Sequence, residues 1–381
     1  MAPRLPRARL SGFYFCYFAI LGAFLPYWPL YLQNIGYDPA QIGWLMAILP
    51  ATKIVSPSVW GWFDRSGRTL PLIRWAGFLA LACFGGVFAS PGELAALVAV
   101  LLTFSFCWNA TLPLFETVTL GHLGEQAALY GRIRLWGSVG FILTVWALGA
   151  IFDGFMSIAR LPEIVVLLLA CQWLVSLAVP PSTETHPPES NPALWGILKR
   201  GEVIAFFVAA VLLQIAHGPY YAFYSIYLDE HGFSDSTIGE LWALGVLAEI
   251  VVFQFMHRLM RHVGIRVLFL GSLLLSAVRW LMIAWGAEYL GIMLIAQLMH
   301  AATFGVAHAA SIHLVHRNFR GPHHGKGQAL YSGLSFGLGG ALGSLYSGEF
   351  WTIWGPAWVF TAAAGFSLLA LVIAWPRVGR P

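Results

Sequence analysis

The chain has 381 residues, of which 59% are hydrophobic and only 10% charged, with a mean hydropathy of +0.73 and a formal net charge of +4. A water-soluble domain carries about a quarter charged residues, so this composition excludes one. The basic residues are scattered among apolar segments and form no basic face, which excludes nucleic acid as a partner.

The apolar residues fall in runs close to the roughly 20 residues a helix needs to cross a hydrocarbon layer. Backbone groups in lipid must satisfy one another, so such runs are helices. In chain order they predict spans at 11–33, 41–62, 71–89, 94–115, 133–152, 161–179, 203–228, 236–257, 264–286, 289–313, 327–350 and 356–375. The fold class is therefore an all-α membrane protein of twelve transmembrane helices. Arg4, Arg7 and Arg9 ahead of the first run resemble a secretory signal. That run is full length and eleven more follow, so it reads as an uncleaved first helix. Cys16, Cys83, Cys107 and Cys171 all lie within spans at no metal or redox spacing, and read as small buried hydrophobes.

After the sixth span, residues 181–202 hold Pro181, Pro187, Pro188 and Pro192 with Ser, Thr and Glu. This is the composition of an exposed linker, and it separates an N-terminal bundle (1–180) from a C-terminal one (203–381). Basic residues concentrate in the termini, the linker and the even-numbered connections, as at Arg65, Arg68, Arg132, Arg258, Arg261, Arg317, Arg320 and Lys326; the opposite face holds only Arg160. The bias predicts cytoplasmic termini.

The two halves repeat. Tyr31-Leu32, Gly36-Tyr37, Ile42-Gly43, Leu45, Ala47 and Ile54 reappear 196 residues later as Tyr227-Leu228, Gly232-Phe233, Ile238-Gly239, Leu241, Ala243 and Ile250, and Gly22 meets Gly218. Both copies run from an odd-numbered span into the next, so the repeat is parallel. Parallel repeats build transporters whose substrate site lies between the halves near mid-membrane.

The connection after the second span reads Gly61-Trp62-Phe63-Asp64-Arg65-Ser66-Gly67-Arg68. It resembles the inner-loop signature of the major facilitator superfamily, in which the acid pairs with basic groups in one conformation and releases them in another. The resemblance implies a gating role for Asp64, Arg65, Gly67 and Arg68. The leading glycine stands one residue closer to the acid than in the family pattern. An ordinary positive-inside loop is the competing reading.

A charge at the bilayer centre costs roughly 2.5–3.5 kcal/mol on insertion scales, so charges inside spans face a cavity or a partner. The candidates are Lys53, Glu116 at the end of the fourth span, Arg134, Glu240, Glu249 and Arg279, with His217 and His300 as further titratable groups. Three acids and three bases also allow a purely structural set of ion pairs.

Glu116 followed by Tyr130-Gly131-Arg132-Ile133-Arg134-Leu135-Trp136-Gly137 resembles the lactose permease family, where the acid and the second arginine bind substrate. Gly239-Glu240-Leu241, Arg279 and His300 match further positions of that family. Thr303 stands where it carries a proton-accepting glutamate, and Gln297 where it carries a lysine. Over nearly the whole chain the sequence is similar to the phenylpropionate permease branch. The shared marks are Phe24-Leu25-Pro26-x-Trp28, Gln214-x-x-His217-x-x-Tyr220-Tyr221-x-Phe223, Leu247-Ala248-Glu249, Val278-Arg279-Trp280 and Gln297-x-x-His300-x-x-Thr303-Phe304.

The resemblance implies a proton-coupled importer of aromatic or other organic carboxylates, working by alternating access as a monomer in the bacterial inner membrane. It needs no cofactor beyond the proton gradient and no metal. Lys53, Glu116, Arg134, His217, Tyr220, Glu240, Arg279 and His300 are the substrate-site candidates. Glu249 is the preferred proton carrier, since burial favours the neutral form of a carboxyl. Glu240, expected to face Arg134 across the two halves, and His300 are the other carriers. A sugar or nucleoside transporter is the alternative, with Glu116 and Glu240 accepting hydroxyl groups; a membrane-embedded enzyme is the third class, and the parallel repeat argues against it. His308, His313 and His316 do not share one helical face cleanly, and the glycines at 333, 337, 339, 340 and 343 suit close helix packing. Trp28 and Trp242 are candidates to line an aromatic-binding cavity.

Overall fold

The polar breaks in the sequence are helix caps. Asp38 accepts a hydrogen bond from the Gln41 backbone N–H at 2.9 Å, and the Gln41 side chain accepts from the Asp38 N–H at 3.1 Å, a capping box. Ser234, 196 residues later, caps the Thr237 N–H at 3.2 Å. The turns that lead into these caps are also the same. Gly36 and Gly232 have φ of +94° and +79°, a region open to glycine. Tyr37 N donates to Leu32 O and Phe233 N to Leu228 O, each at 3.1 Å, closing the preceding helix. The sequence repeat is thus a repeat of local structure.

A computed structural model describes residues 5–64, 68–90, 92–181 and 194–379. Among them run twelve long helices: α1 (Arg7–Asn34), α2 (Pro39–Phe63), α3 (Thr69–Phe84, continued by a tighter turn Gly85–Ala89), α4 (Leu94–Leu123), α5 (Tyr130–Gly154), α6 (Leu161–Ala178), α7 (Gly201–Glu230), α8 (Asp235–His262), α9 (Ile265–Gly286), α10 (Leu290–Asn318), α11 (324–354) and α12 (Pro356–Ala374). Eleven are long and apolar enough to cross a membrane. The other, α11, is as long, but its glycines and serines dilute its apolar character. Several helices exceed their predicted ends, α4 by the most. In α4 the hydroxyls of Thr117 and Thr119 bond to the carbonyls of Pro113 and Phe115, one turn back. Polar residues therefore extend α4 rather than end it, and Glu116 lies two turns inside the helix. Arg65, Gly67 and most of the predicted linker lie outside the described residues.

Helices α1–α6 pack among themselves, as do α7–α12, and the two sets meet along α2/α11, α5/α8 and α1/α7. Gly43 on α2 and its repeat partner Gly239 on α8 make the first two crossings. A Cβ on Gly43 would stand 2.8 Å from Gly348 Cα and Ser344 O of α11, and one on Gly239 would run into Val145 of α5 and the Tyr27 hydroxyl. Small residues let helix backbones touch where lipid supplies no hydrophobic drive.

Helices α2 and α11 stay in contact as far as Ile54 and Gly337, but most of these contacts lie toward the face opposite the chain termini. There Tyr27 donates to Val145 O at 2.6 Å, Trp44 Nε1 to Glu349 Oε1 at 2.7 Å, and Ser236 N to Asp153 Oδ2 at 3.0 Å. One apolar core, containing Tyr27, Trp28, Leu148, Tyr224, Ile238 and Trp351, joins both halves at that end. Toward the termini the core divides in two. One part (Leu10, Ile73, Phe115, Ile133) belongs to the first half, and the other (Phe206, Phe269, Leu314, Ala374) to the second. The halves are sealed at one face and separate toward the other.

Candidate functional site

Two polar clusters border the gap between the halves. In the first half, Arg134 Nε stands 4.0 Å from Glu116 Oε1, and the Tyr130 hydroxyl donates to the same oxygen at 3.1 Å. The Arg134 guanidinium lies 4.0 Å from the Phe18 ring centroid and 5.5 Å from that of Tyr14, a face-on cation–π arrangement. Gly137, one turn on, makes this possible: a Cβ there would lie 2.7 Å from the Phe18 ring and 2.8 Å from Arg134 Nη1. Glu116 and Arg134 keep 36% and 30% side-chain exposure, so they reach open space.

Lys53 on α2 is half-buried, with its ammonium 5.6 Å from the centroid of Phe336 on α11. No carboxylate lies within ion-pair distance of it among the described residues. Its contact is therefore with the other half of the molecule.

In the second half, Arg279 is fully buried. It donates through Nε to Ala296 O at 2.8 Å and through Nη1 to His300 Nδ1 at 2.9 Å and Thr303 Oγ1 at 3.2 Å. His300 Nε2 stands 2.7 Å from Glu249 Oε1. A guanidinium only donates, so His300 Nδ1 is an acceptor and the ring proton sits on Nε2, pointed at the carboxylate. The result is a directional chain: Arg279 to His300 to Glu249. Glu249 is thus neither unpaired nor bound to a permanent cation. Its neighbour is an imidazole.

Around this chain, Tyr220 donates to Gln297 Oε1 at 3.0 Å, and its ring lies 4.4 Å from the guanidinium. Gly245 leaves α8 room to approach α10; a Cβ there would stand 3.0 Å from Gln297 Oε1. His217 Nδ1 donates to Leu213 O at 2.7 Å. Several buried atoms here have no hydrogen-bond partner among the described residues: Arg279 Nη2, Gln297 Nε2, His217 Nε2 and Trp280 Nε1. Buried polar groups are ordinarily satisfied, and these four lie together around the Arg279–His300–Glu249 chain.

Three sequence expectations need correction. Glu240 does not face Arg134. It is exposed on the stripe of α8 that includes Leu247 and Val251, because the neighbouring Gly239 is the residue packed on α5. Arg134 has Glu116 as its acid instead. Trp28 is not a cavity wall: it is fully buried and stacked 4.9 Å from Phe24. Trp242 is also buried, its indole N–H donating to Ser225 Oγ at 3.0 Å and its ring 4.6 Å from Tyr220. At the α2–α3 junction, Asp64 Oδ2 accepts from the Thr69 hydroxyl at 2.7 Å and Arg68 is exposed.

The charge pattern also passed over residues that the structure brings in. Tyr14, Phe18 and Tyr130 frame the first cluster. Phe304, His308 and Phe336 lie between Lys53 and His300. For Phe304 and His308 the signal was their spacing with His300 at successive fours on one helix face; Phe336, on α11, had none.

Comparison with known proteins agrees with this architecture. The model of the family described as "MFS_1 like family" matches residues 7–362. A probable 3-phenylpropionic acid transporter of Escherichia coli (strain K12) is 29% identical over 344 residues, covering 88% of each chain. The maltose permease of Geobacillus stearothermophilus is 26% identical, covering 96% of this chain and 93% of its own. A crystal structure of the nucleoside transporter NupG superposes with a TM-score of 0.84 at 17% identity, covering 97% of this chain and 98% of that one, a likeness of fold. With the family matched over nearly its whole length and a parallel repeat of six helices in each half, the chain belongs to the MFS_1 like family and is a secondary transporter of the major facilitator superfamily, not an enzyme.

Proposed function

We propose that this transporter carries a small organic anion, an aromatic carboxylate, in symport with protons by alternating access. The observation that carries the reading is a charge imbalance. With Glu240 on the outer face, the gap between the halves holds Lys53, Arg134 and Arg279 against Glu116 and Glu249. Arg134 has its acid, and Arg279 has one through His300. Lys53 has none within ion-pair distance among the described residues. A lone cation in a low-dielectric site is costly, and an anionic substrate would compensate it. The aromatic side chains around Lys53 and Tyr220 favour a substrate that also carries a ring.

Coupling follows from the same balance. A proton on Glu249 removes one of the two negative charges, leaving the site more positive and a stronger binder of anions. Linkage makes the effect reciprocal: bound anion favours the proton. His217, Tyr220, His300 and Glu116 complete the substrate site, and Asp64 with Arg65, Gly67 and Arg68 gates it. The bundles 1–180 and 203–381 rock as two bodies about the α2/α11 and α5/α8 crossings, joined by the linker 181–202. With termini in the cytoplasm of a monomer in the cell membrane, the structure is inward-facing.

Uptake into proteoliposomes tests the substrate. Radiolabelled 3-phenylpropionate is expected to accumulate when the exterior is made acid, and a protonophore to abolish accumulation. Concentrative uptake of maltose or uridine, with none of 3-phenylpropionate, would overturn the reading. Topology is tested in cells with a membrane-impermeant thiol reagent. A cysteine at Asp38 is expected to react from outside, and one at Trp195, in the linker, only after the membrane is opened. Equal labelling of both in intact cells would refute cytoplasmic termini.

A further inference from the structure

On α10, His300, Phe304 and His308 stack in register. The His300 and Phe304 centroids are 5.3 Å apart at 10°, and those of Phe304 and His308 are 6.1 Å apart at 7°. Phe336 of α11 stands across this ladder, 6.0 Å from Phe304 at 64° and 5.6 Å from His308 at 62°. The rings thus make an angled aromatic wall, and the Lys53 ammonium sits over Phe336 from the opposite half. Tyr331, buried behind the wall, holds its hydroxyl 3.4 Å from His308 Nδ1. Lys53, Phe304, His308 and Phe336 are all partly exposed, although they lie well inside their helices.

The backbone is specialised at this place. The segments Ala301–Val306 and Ser332–Gly339, which carry Phe304 and Phe336, are both π-helical. Such widened turns are rare and occur often at functional sites. Gly337 packs against Ile54, where a Cβ would stand 2.6 Å from Cγ1, so α11 comes close enough to α2 to bring Phe336 beneath Lys53. Two irregular helices and a close crossing converge on one lysine.

We infer that Lys53, His308, Phe304 and Phe336 form the subsite that holds the substrate's carboxylate and ring, with the carboxylate bridging Lys53 of the first half and His308 of the second. The subsite rests on the aromatic-carboxylate reading and adds to it the residues that select the substrate. In the tautomer whose Nδ1 accepts from the Tyr331 hydroxyl, the imidazole carries its proton on Nε2 and offers it to the carboxylate. The substrate ring lies in the corner made by Phe304 and Phe336, in the stacked and edge-on contacts aromatic rings prefer. Because the anion is held from both sides, its binding ties α2 of the first half to α10 of the second beside the α2/α11 crossing at Ile54 and Gly337.

The test is binding of 3-phenylpropionate and of hexanoate, a ringless acid of similar length, to the purified full-length protein by calorimetry. Phe336→Leu is expected to remove about two- to tenfold of preference for the aromatic acid. His308→Leu is expected to weaken both acids alike by roughly tenfold or more, with His308→Asn restoring part of the loss. If the unaltered protein binds 3-phenylpropionate and these variants keep its affinity and selectivity, the subsite is wrong while the substrate reading stands. If the unaltered protein binds no 3-phenylpropionate, both fall. Should either variant fail to fold, His308→Cys in a background lacking the native cysteines replaces it. The substrate is expected to protect that thiol from alkylation, and alkylation at an unchanged rate overturns the subsite.

Discussion

Glu249→Gln is expected to abolish accumulation of substrate while leaving exchange across the membrane intact. In the structure the carboxylate accepts the His300 Nε2 proton at 2.7 Å, and His300 is held in turn by the Arg279 guanidinium at 2.9 Å. Glutamine retains a carbonyl oxygen that can accept from His300, so the chain and the packing against Gly305 survive. What it loses is the ability to change charge. The site is then permanently in the state that the protonated carboxyl supplies, so substrate can bind on either side and cross. No proton is carried, and the internal concentration cannot exceed the external one. The measurements are counterflow exchange and acid-driven uptake on the same proteoliposomes, expected near the unaltered value and near zero respectively. Accumulation at the unaltered level would eliminate Glu249 as the carrier and move the role to His300.

Gly348→Trp is expected to hold the sealed face open and stop transport. A Cβ at this position would lie 2.5 Å from Pro39 O and 2.7 Å from Gly43 Cα, so even alanine meets backbone that cannot turn aside. Overpacking a well-packed site typically costs about 1–3 kcal/mol, and an indole wedged between two backbones stands at the upper end. Each 1.4 kcal/mol is tenfold in an equilibrium, so the sealed conformation becomes a minor state and uptake falls by at least about tenfold. A cysteine at Ile238, fully buried beside the seal, reports the change. It is expected to resist an impermeant thiol reagent in the otherwise unaltered protein and to react in the tryptophan variant, both in a background lacking the native cysteines. Normal uptake together with an unreactive Ile238→Cys would mean that the α2/α11 crossing does not gate.

The sequence by itself determined the number and course of the helices and their parallel repeat. Lipid allows only one backbone solution to a long apolar run, and the glycine turns at Gly36 and Gly232 and the caps at Asp38 and Ser234 are local chemistry that neighbouring residues settle. It also singled out Arg134, Glu249, Arg279 and His300, because a charge in an apolar run is conspicuous wherever the helix points. Direction was what it could not supply. Glu240 and Glu249 sit on one helix in similar surroundings of sequence, and only packing decides that Gly239 presses on α5 and turns Glu240 outward while Gly245 lets Glu249 reach His300. The partners of Lys53 lie nearly three hundred residues away in the chain and are uncharged rings, so no charge pattern could reveal them. The rotation of each helix about its axis follows from which small residues meet across the bundle, a property of pairs distant in sequence, and the site is made of those rotations.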